Sequence, residues 1–86
     1  MKIEFSKKAA KSIRILSPTM QRNIVARIHG LLQVPPIGDI QPMQGYPQDV
    51  FRLRVGQYRV VFQSSVEDSE KIVYIIDIGP RGDIYK

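Results

Sequence analysis

Three arginines fall close together in the second half of the chain, Arg52, Arg54 and Arg59, and Arg81 follows the last apolar run. Arginine presents a planar fork of donors that matches phosphate and keeps its charge at physiological pH. Residues of this type, gathered on one surface, grip a polyanion. Whether they are gathered depends on the register of the chain around them. Phe51, Leu53 and Val55 alternate with Arg52 and Arg54, and Tyr58, Val60 and Phe62 alternate with Arg59 and Val61, as two half-buried strands do. Gly56-Gln57 between them reads as a two-residue hairpin turn with glycine first. Val55 then pairs with Tyr58, Arg54 faces Arg59, and Arg52 faces Val61. Facing side chains have Cβ atoms about 4.5–5.5 Å apart, where like charges repel. Either both guanidinium groups splay into water or an anion sits between them. The two-residue period puts Arg52 on the same face, and Arg81 can fold back to the same end of the sheet. Both points favour an anion, and RNA is the expected polyanion. Tyr85, near Arg81, adds an aromatic surface on which a base can stack.

The rest of the chain must position this face. Lys2–Phe5 alternates as a short strand. Ser6 can cap a helix of about three turns whose inner face is Ala9, Ile13 and Leu16. Its outer face carries Lys7, Lys11 and Arg14, either as a solvated surface or as an auxiliary phosphate contact. Ser17-Pro18 starts a second helix as N-cap and first residue, with Met20, Ile24, Ile28, Leu31 and Leu32 as its apolar stripe. Residues 35–47 hold four of the six prolines and read as a long ordered loop. After the arginine hairpin, Ser64–Ser69 reads as a polar turn and Lys71–Ile78 as a central strand, stopped by Gly79-Pro80. The expected fold is α+β: an N-terminal strand, an αα-hairpin, then a three-stranded antiparallel meander. The helices are expected on one face of a four-stranded sheet, with the other face left for binding.

Bulk properties agree. At 86 residues, with 43% apolar and 24% charged, the chain reads as one globular domain over 1–86. The net charge of +5 points to nucleic acid or an acidic protein as partner. There is no cysteine, which excludes disulfide and thiolate chemistry. No apolar run approaches the roughly 20 residues of a membrane span, and the charged start does not read as a signal peptide, so a cytoplasmic location is expected. His29 is the single histidine and reads as a surface residue. Asp77 and Asp83 lack the clustered partners of a metal site, so no metal and no cofactor are expected.

Taken together, Phe51-Arg-Leu-Arg-Val-Gly-Gln-Tyr-Arg-Val-Val-Phe, Ile72-Val-Tyr-Ile-Ile-Asp-Ile-Gly, Arg81 and Tyr85 resemble the RelE/ParE superfamily of type II toxin–antitoxin systems, and its RelE-like branch in particular. The resemblance spans essentially the whole chain. It implies an mRNA interferase, an endoribonuclease that enters the ribosomal A site and cuts mRNA without a metal. The ribose 2′-hydroxyl attacks the adjacent phosphate and the 5′-oxygen leaves. Carried over by position, Arg52 and Arg54 stand where such toxins have basic residues, typically lysines. Arg59 matches the arginine that stabilises the phosphorane, Arg81 a second phosphate or leaving-group arginine, and Tyr85 the tyrosine that orients a base. Arginine in place of lysine holds charge well and moves protons poorly. Proton transfer therefore falls to Tyr85, to Asp83 or to the ribosome. The implied partner is a helical, acidic, RelB-like antitoxin, with operator DNA bound only by the toxin–antitoxin pair. Two other outcomes fit the same resemblance: a ParE-like inhibitor of DNA gyrase, and a catalytically weak relative that binds RNA or antitoxin. On the hairpin register, Arg59→Ala and Arg81→Ala are expected to abolish activity and leave the fold intact or slightly more stable.

Overall fold

The computed structural model describes residues 2–47 and 49–80. Strand β1 (Lys2–Phe5) leads into helix α1 (Lys7–Arg14) through Ser6. The Ser6 hydroxyl accepts from the Ala9 amide at 3.0 Å and donates to the Ile76 carbonyl at 2.7 Å. One side chain thus caps the helix and fastens its start to the sheet. Ser17 caps helix α2 (Pro18–His29) by accepting from the Met20 amide, with Pro18 at the first position. A 3-10 turn, Gly30–Leu32, prolongs α2, and Lys71 Nζ donates to the Leu31 carbonyl at its end. Both caps stand where the serine–helix patterns place them.

Four strands follow: β2 (Asp39–Pro42), β3 (Val50–Val55), β4 (Tyr58–Glu67) and β5 (Glu70–Pro80). They complete a five-stranded sheet in the order β1-β5-β4-β3-β2, with β1 parallel to β5 and the other pairs antiparallel. The α+β class agrees with expectation, but the sheet has five strands rather than four. The extra strand is β2, inside the proline-rich segment read as a loop. Only four residues pair, and Pro42 closes the strand at the sheet edge, where a missing amide is tolerated. The second correction concerns 64–69, read as a polar turn. Instead β4 continues to Glu67, and the turn is only Asp68-Ser69, with φ of 51° and 64°. Two successive positive φ angles are the two-residue hairpin geometry that suits the right-handed twist of strands. Serines and glutamate can extend a strand when its partner supplies the ladder, so polarity alone misplaces the turn.

The core lies between the helices and one sheet face. Ala9, Ile24, Ile28 and Leu31 meet Leu53, Val55, Val60, Phe62, Val73, Ile75 and Ile78, all buried. A bulge at Val61/Phe62 explains why β5 reads as continuously apolar. Val61 pairs with Asp77 but Phe62 pairs with Ile75, so Ile76 is the extra residue. The alternation switches parity there, and both Ile78 and Ile75 reach the core.

Candidate functional site

The turn at Gly56, with φ of 57°, fixes the hairpin as the sequence pattern places it. Val55 pairs with Tyr58, Arg54 with Arg59 and Arg52 with Val61. Leu53, Val55 and Val60 face the helices, so the alternating arginines share the opposite face. Three basic side chains are thus brought together by two adjacent strands.

The surroundings of the three differ. Arg59 is fully buried. Arg52 is 5% exposed, and its Nη1 donates to the Asp39 backbone carbonyl at 3.0 Å. The same nitrogen lies 3.4 Å from Asp39 Oδ1. Arg54 keeps 35% of its side chain exposed, with Nε 3.7 Å from Asp39 Oδ2. One carboxylate therefore bridges Arg52 and Arg54. The centre of this face is also less open than expected, because Val61 and Val50 beside the arginines are buried as well. Of the three, Arg54 offers its guanidinium most readily to a ligand.

Asp39 is the residue that strand periodicity in the hairpin alone does not reveal. It stands opposite Arg54 across the β2–β3 ladder, and Gln41 stands opposite Arg52. The signal was present in Asp39-Ile40-Gln41, a polar–apolar–polar alternation after Gly38. Four surrounding prolines hide it. Gly38 itself has φ of 138°, a backbone region open to glycine, and a Cβ there would come within 2.6 Å of Leu53 Cδ1. Glycine lets the chain press against the core just before Asp39 is presented.

Lys7 and Lys11 are exposed on α1. They project from the helix layer, across the sheet from the arginines, and are not brought to the same face. Lys8, between them, reaches Asp77 instead, with Nζ 3.3 Å from Oδ2. Asp77 Oδ1 accepts from the Ile78 amide at 2.9 Å, and the pair borders a cleft of about 490 Å³ that also includes Tyr58 and Ile15. His29 is exposed. Among the described residues, no three His, Cys, Asp or Glu side chains cluster as a metal site would require. Among the same residues, no helix is long and apolar enough to cross a membrane. Arg81, Asp83 and Tyr85 lie outside the described residues.

A family model described as "ParE toxin of type II toxin-antitoxin system, parDE" matches residues 3–85. No curated protein sequence matches the chain. Among solved structures, the fold is similar to a YoeB/ParE toxin from Agrobacterium tumefaciens, with a TM-score of 0.80 at 18% identity over 94% of this chain and 99% of that one. The isolated E. coli RelE toxin is similar at 26% identity, over 96% of this chain and 88% of that one, with a TM-score of 0.70. A chain of the intact E. coli RelBE toxin–antitoxin complex is similar at 28% identity, over 91% of this chain and 93% of that one, with a TM-score of 0.67. A buried core, an arginine hairpin and a family match running nearly end to end lead to one conclusion: the chain belongs to the family that model describes, toxins of type II toxin–antitoxin systems in the RelE/ParE superfamily.

Proposed function

We propose that this toxin is a RelE-like mRNA endoribonuclease that acts on mRNA in the ribosomal A site. The observation that carries the reading is the pairing of Arg54 with Arg59 on adjacent strands, with Arg52 two residues along the same face. Positive charge concentrated this way suits a phosphate that gains charge during displacement. Arg54 makes the first contact with the RNA backbone. Arg59, fully buried beneath the face, adds its positive charge to the field that stabilises the phosphorane. Arg52 shapes the face through Asp39. Arg81 and Tyr85 bind the scissile phosphate and stack on a base. The 2′-hydroxyl loses its proton and attacks the neighbouring phosphorus. The bond to the 5′-oxygen breaks, and that oxygen takes up a proton as it leaves. Arginine is a poor proton carrier, so Tyr85, Asp83 or the ribosome supplies these transfers.

The partner in this reading is a cognate antitoxin that covers the basic face with helices and acidic side chains. Solved toxin–antitoxin complexes of similar chains, from Pyrococcus horikoshii and E. coli, support an antitoxin as partner. Purified toxin added to programmed ribosomes is expected to cut mRNA at the A-site codon, and Arg54→Ala is expected to lose the cut. Intact mRNA in both reactions would remove the endoribonuclease reading.

A second reading has its own support. The matching family model is described by ParE, so inhibition of DNA gyrase is the competing activity. A supercoiling assay run beside the ribosome assay separates the two. Inhibited supercoiling with intact mRNA selects gyrase. If both assays are silent and expression without antitoxin leaves growth unchanged, the chain is a relative that binds without cutting.

A further inference from the structure

We propose that Asp39 is a built-in counter-ion that competes with polyanions for Arg54 and so sets how tightly the arginine face binds them. Asp39 divides its carboxylate between two arginines, with Oδ1 3.4 Å from Arg52 Nη1 and Oδ2 3.7 Å from Arg54 Nε. The two contacts are not equivalent. Arg52 is almost wholly enclosed and is also bonded to the Asp39 backbone carbonyl at 3.0 Å, so it belongs to the β2–β3 joint. Arg54 is 35% exposed, and its Nε makes no hydrogen bond among the described residues, so its link to Asp39 is attraction across 3.7 Å alone. Asp39 in turn keeps 49% of its side chain in water. Both side chains keep a third or more of their surface in water, although the Arg54 Nε at the contact is itself buried, and an ion pair this long between part-solvated side chains is weak and exchangeable. A phosphate offers Arg54 something better, a short bidentate contact with charge on both partners.

Binding is then an exchange. Arg54 leaves the carboxylate and takes the phosphate, while Arg52 keeps Asp39 in place. The carboxylate remains close and repels the incoming anion, so affinity stays below what the arginines alone would give. The register makes this a property of the fold, because Asp39 and Arg54 are direct cross-strand partners. The inference rests on the arginine face as the polyanion site and not on whether mRNA is cut.

The test uses the full chain and two probes, immobilised heparin and a short single-stranded RNA. The variants are Asp39→Asn, Asp39→Ser, Arg54→Ala, the Asp39→Asn/Arg54→Ala double variant, and Glu67→Gln. Glu67→Gln removes one negative charge at the exposed end of β4 and serves as the charge control. Asp39→Asn and Asp39→Ser are expected to elute from heparin at higher salt than wild type and Glu67→Gln. They are also expected to bind RNA about 2- to 5-fold more tightly at low salt, the yield of releasing one weak ion pair. In the Arg54→Ala background the gain should fall to that of Glu67→Gln, leaving only general charge repulsion, because the competition has lost its object. A gain no larger than that of Glu67→Gln overturns the proposal, and so does an equal gain without Arg54. Loss of the fold in both Asp39 variants would make the residue a structural anchor and overturn it too. Wild type retained by heparin but indifferent to RNA counts against the nucleic-acid reading alone, since the heparin arm still judges Asp39. Wild type retained by neither probe overturns the proposal outright.

Discussion

Arg54 and Arg59 face each other across one hairpin, yet they predict different mutant behaviour. Arg54 keeps a third of its side chain in water and touches Asp39 only at 3.7 Å. Arg54→Ala is therefore expected to weaken RNA binding while changing stability by no more than about 1 kcal/mol. Arg59 is fully enclosed. Arg59→Ala leaves a void where a long side chain packed, and is expected to destabilise by about 2–5 kcal/mol. This reverses the expectation from the sequence that relief of a like-charge pair would leave the fold intact or firmer. Asp39 supplies the missing counter-charge on the Arg54 side, and burial makes Arg59 part of the structure. Urea unfolding of the two variants beside wild type checks the contrast. If Arg59→Ala proves as stable as Arg54→Ala, the enclosure of Arg59 contributes little. Loss of activity in Arg59→Ala alone would then become informative about chemistry.

The elements that present the site depend on two small residues. Ser6 joins β1 to α1 and bonds both the helix start and the Ile76 carbonyl. Ser6→Ala removes both contacts and is expected to cost about 1–2 kcal/mol, at the upper end for a lost N-cap. Amide exchange should report the opening at the first turn of α1 and at the neighbouring end of β1. Gly38 positions β2. With φ of 138° and Leu53 Cδ1 2.6 Å from where a Cβ would stand, alanine is strained in its backbone and crowded by the core. Leu53 is fully buried and has little room to yield. Gly38→Ala is expected to destabilise by about 2–4 kcal/mol, the sum of modest backbone strain and overpacking. The same change should displace β2 and with it Asp39. A thermal melt reads the first effect. Heparin retention reads the second, and unchanged retention with a lowered melting temperature would mean that β2 stays in register.

On the scale of the whole molecule, basic side chains lie on both sides of the sheet among the described residues. The arginines occupy one face. Lys7 and Lys11 are exposed on α1, in the layer that covers the other. A single RNA strand lying on the arginine face does not reach both. Affinity for single-stranded RNA falls with salt at a slope of about −0.7 per phosphate neutralised. Arg54→Ala is expected to flatten that slope by about 0.7, and Lys7→Gln/Lys11→Gln to leave it nearly unchanged. Titrations at several salt concentrations decide this. Equal flattening by the lysine pair would mean that the RNA wraps around the sheet edge, or that the helix face is the principal site.

Much of this protein was legible in the sequence wherever neighbours in the chain decide the outcome. Ser6 and Ser17 cap their helices because a cap acts within three residues. Arg54 faces Arg59 because a two-residue turn at Gly56-Gln57 fixes the register of everything beside it. The family resemblance rested on that hairpin together with the Ile72–Gly79 stretch, Arg81 and Tyr85. What the sequence left undecided depends on contacts between distant segments. The Asp39–Pro42 segment becomes a strand only because β3 offers it a ladder, and the prolines in and around it argue locally for a loop. The turn is confined to Asp68-Ser69, the end of the polar run, because β4 and β5 pair through Ser64 to Glu67. The burial of Arg59 and the bridging carboxylate of Asp39 follow from the assembled sheet. The chain thus determined that arginines would share one face. Tertiary structure decided which of them remain available, because exposure and counter-charge belong to the packed sheet and not to the strand.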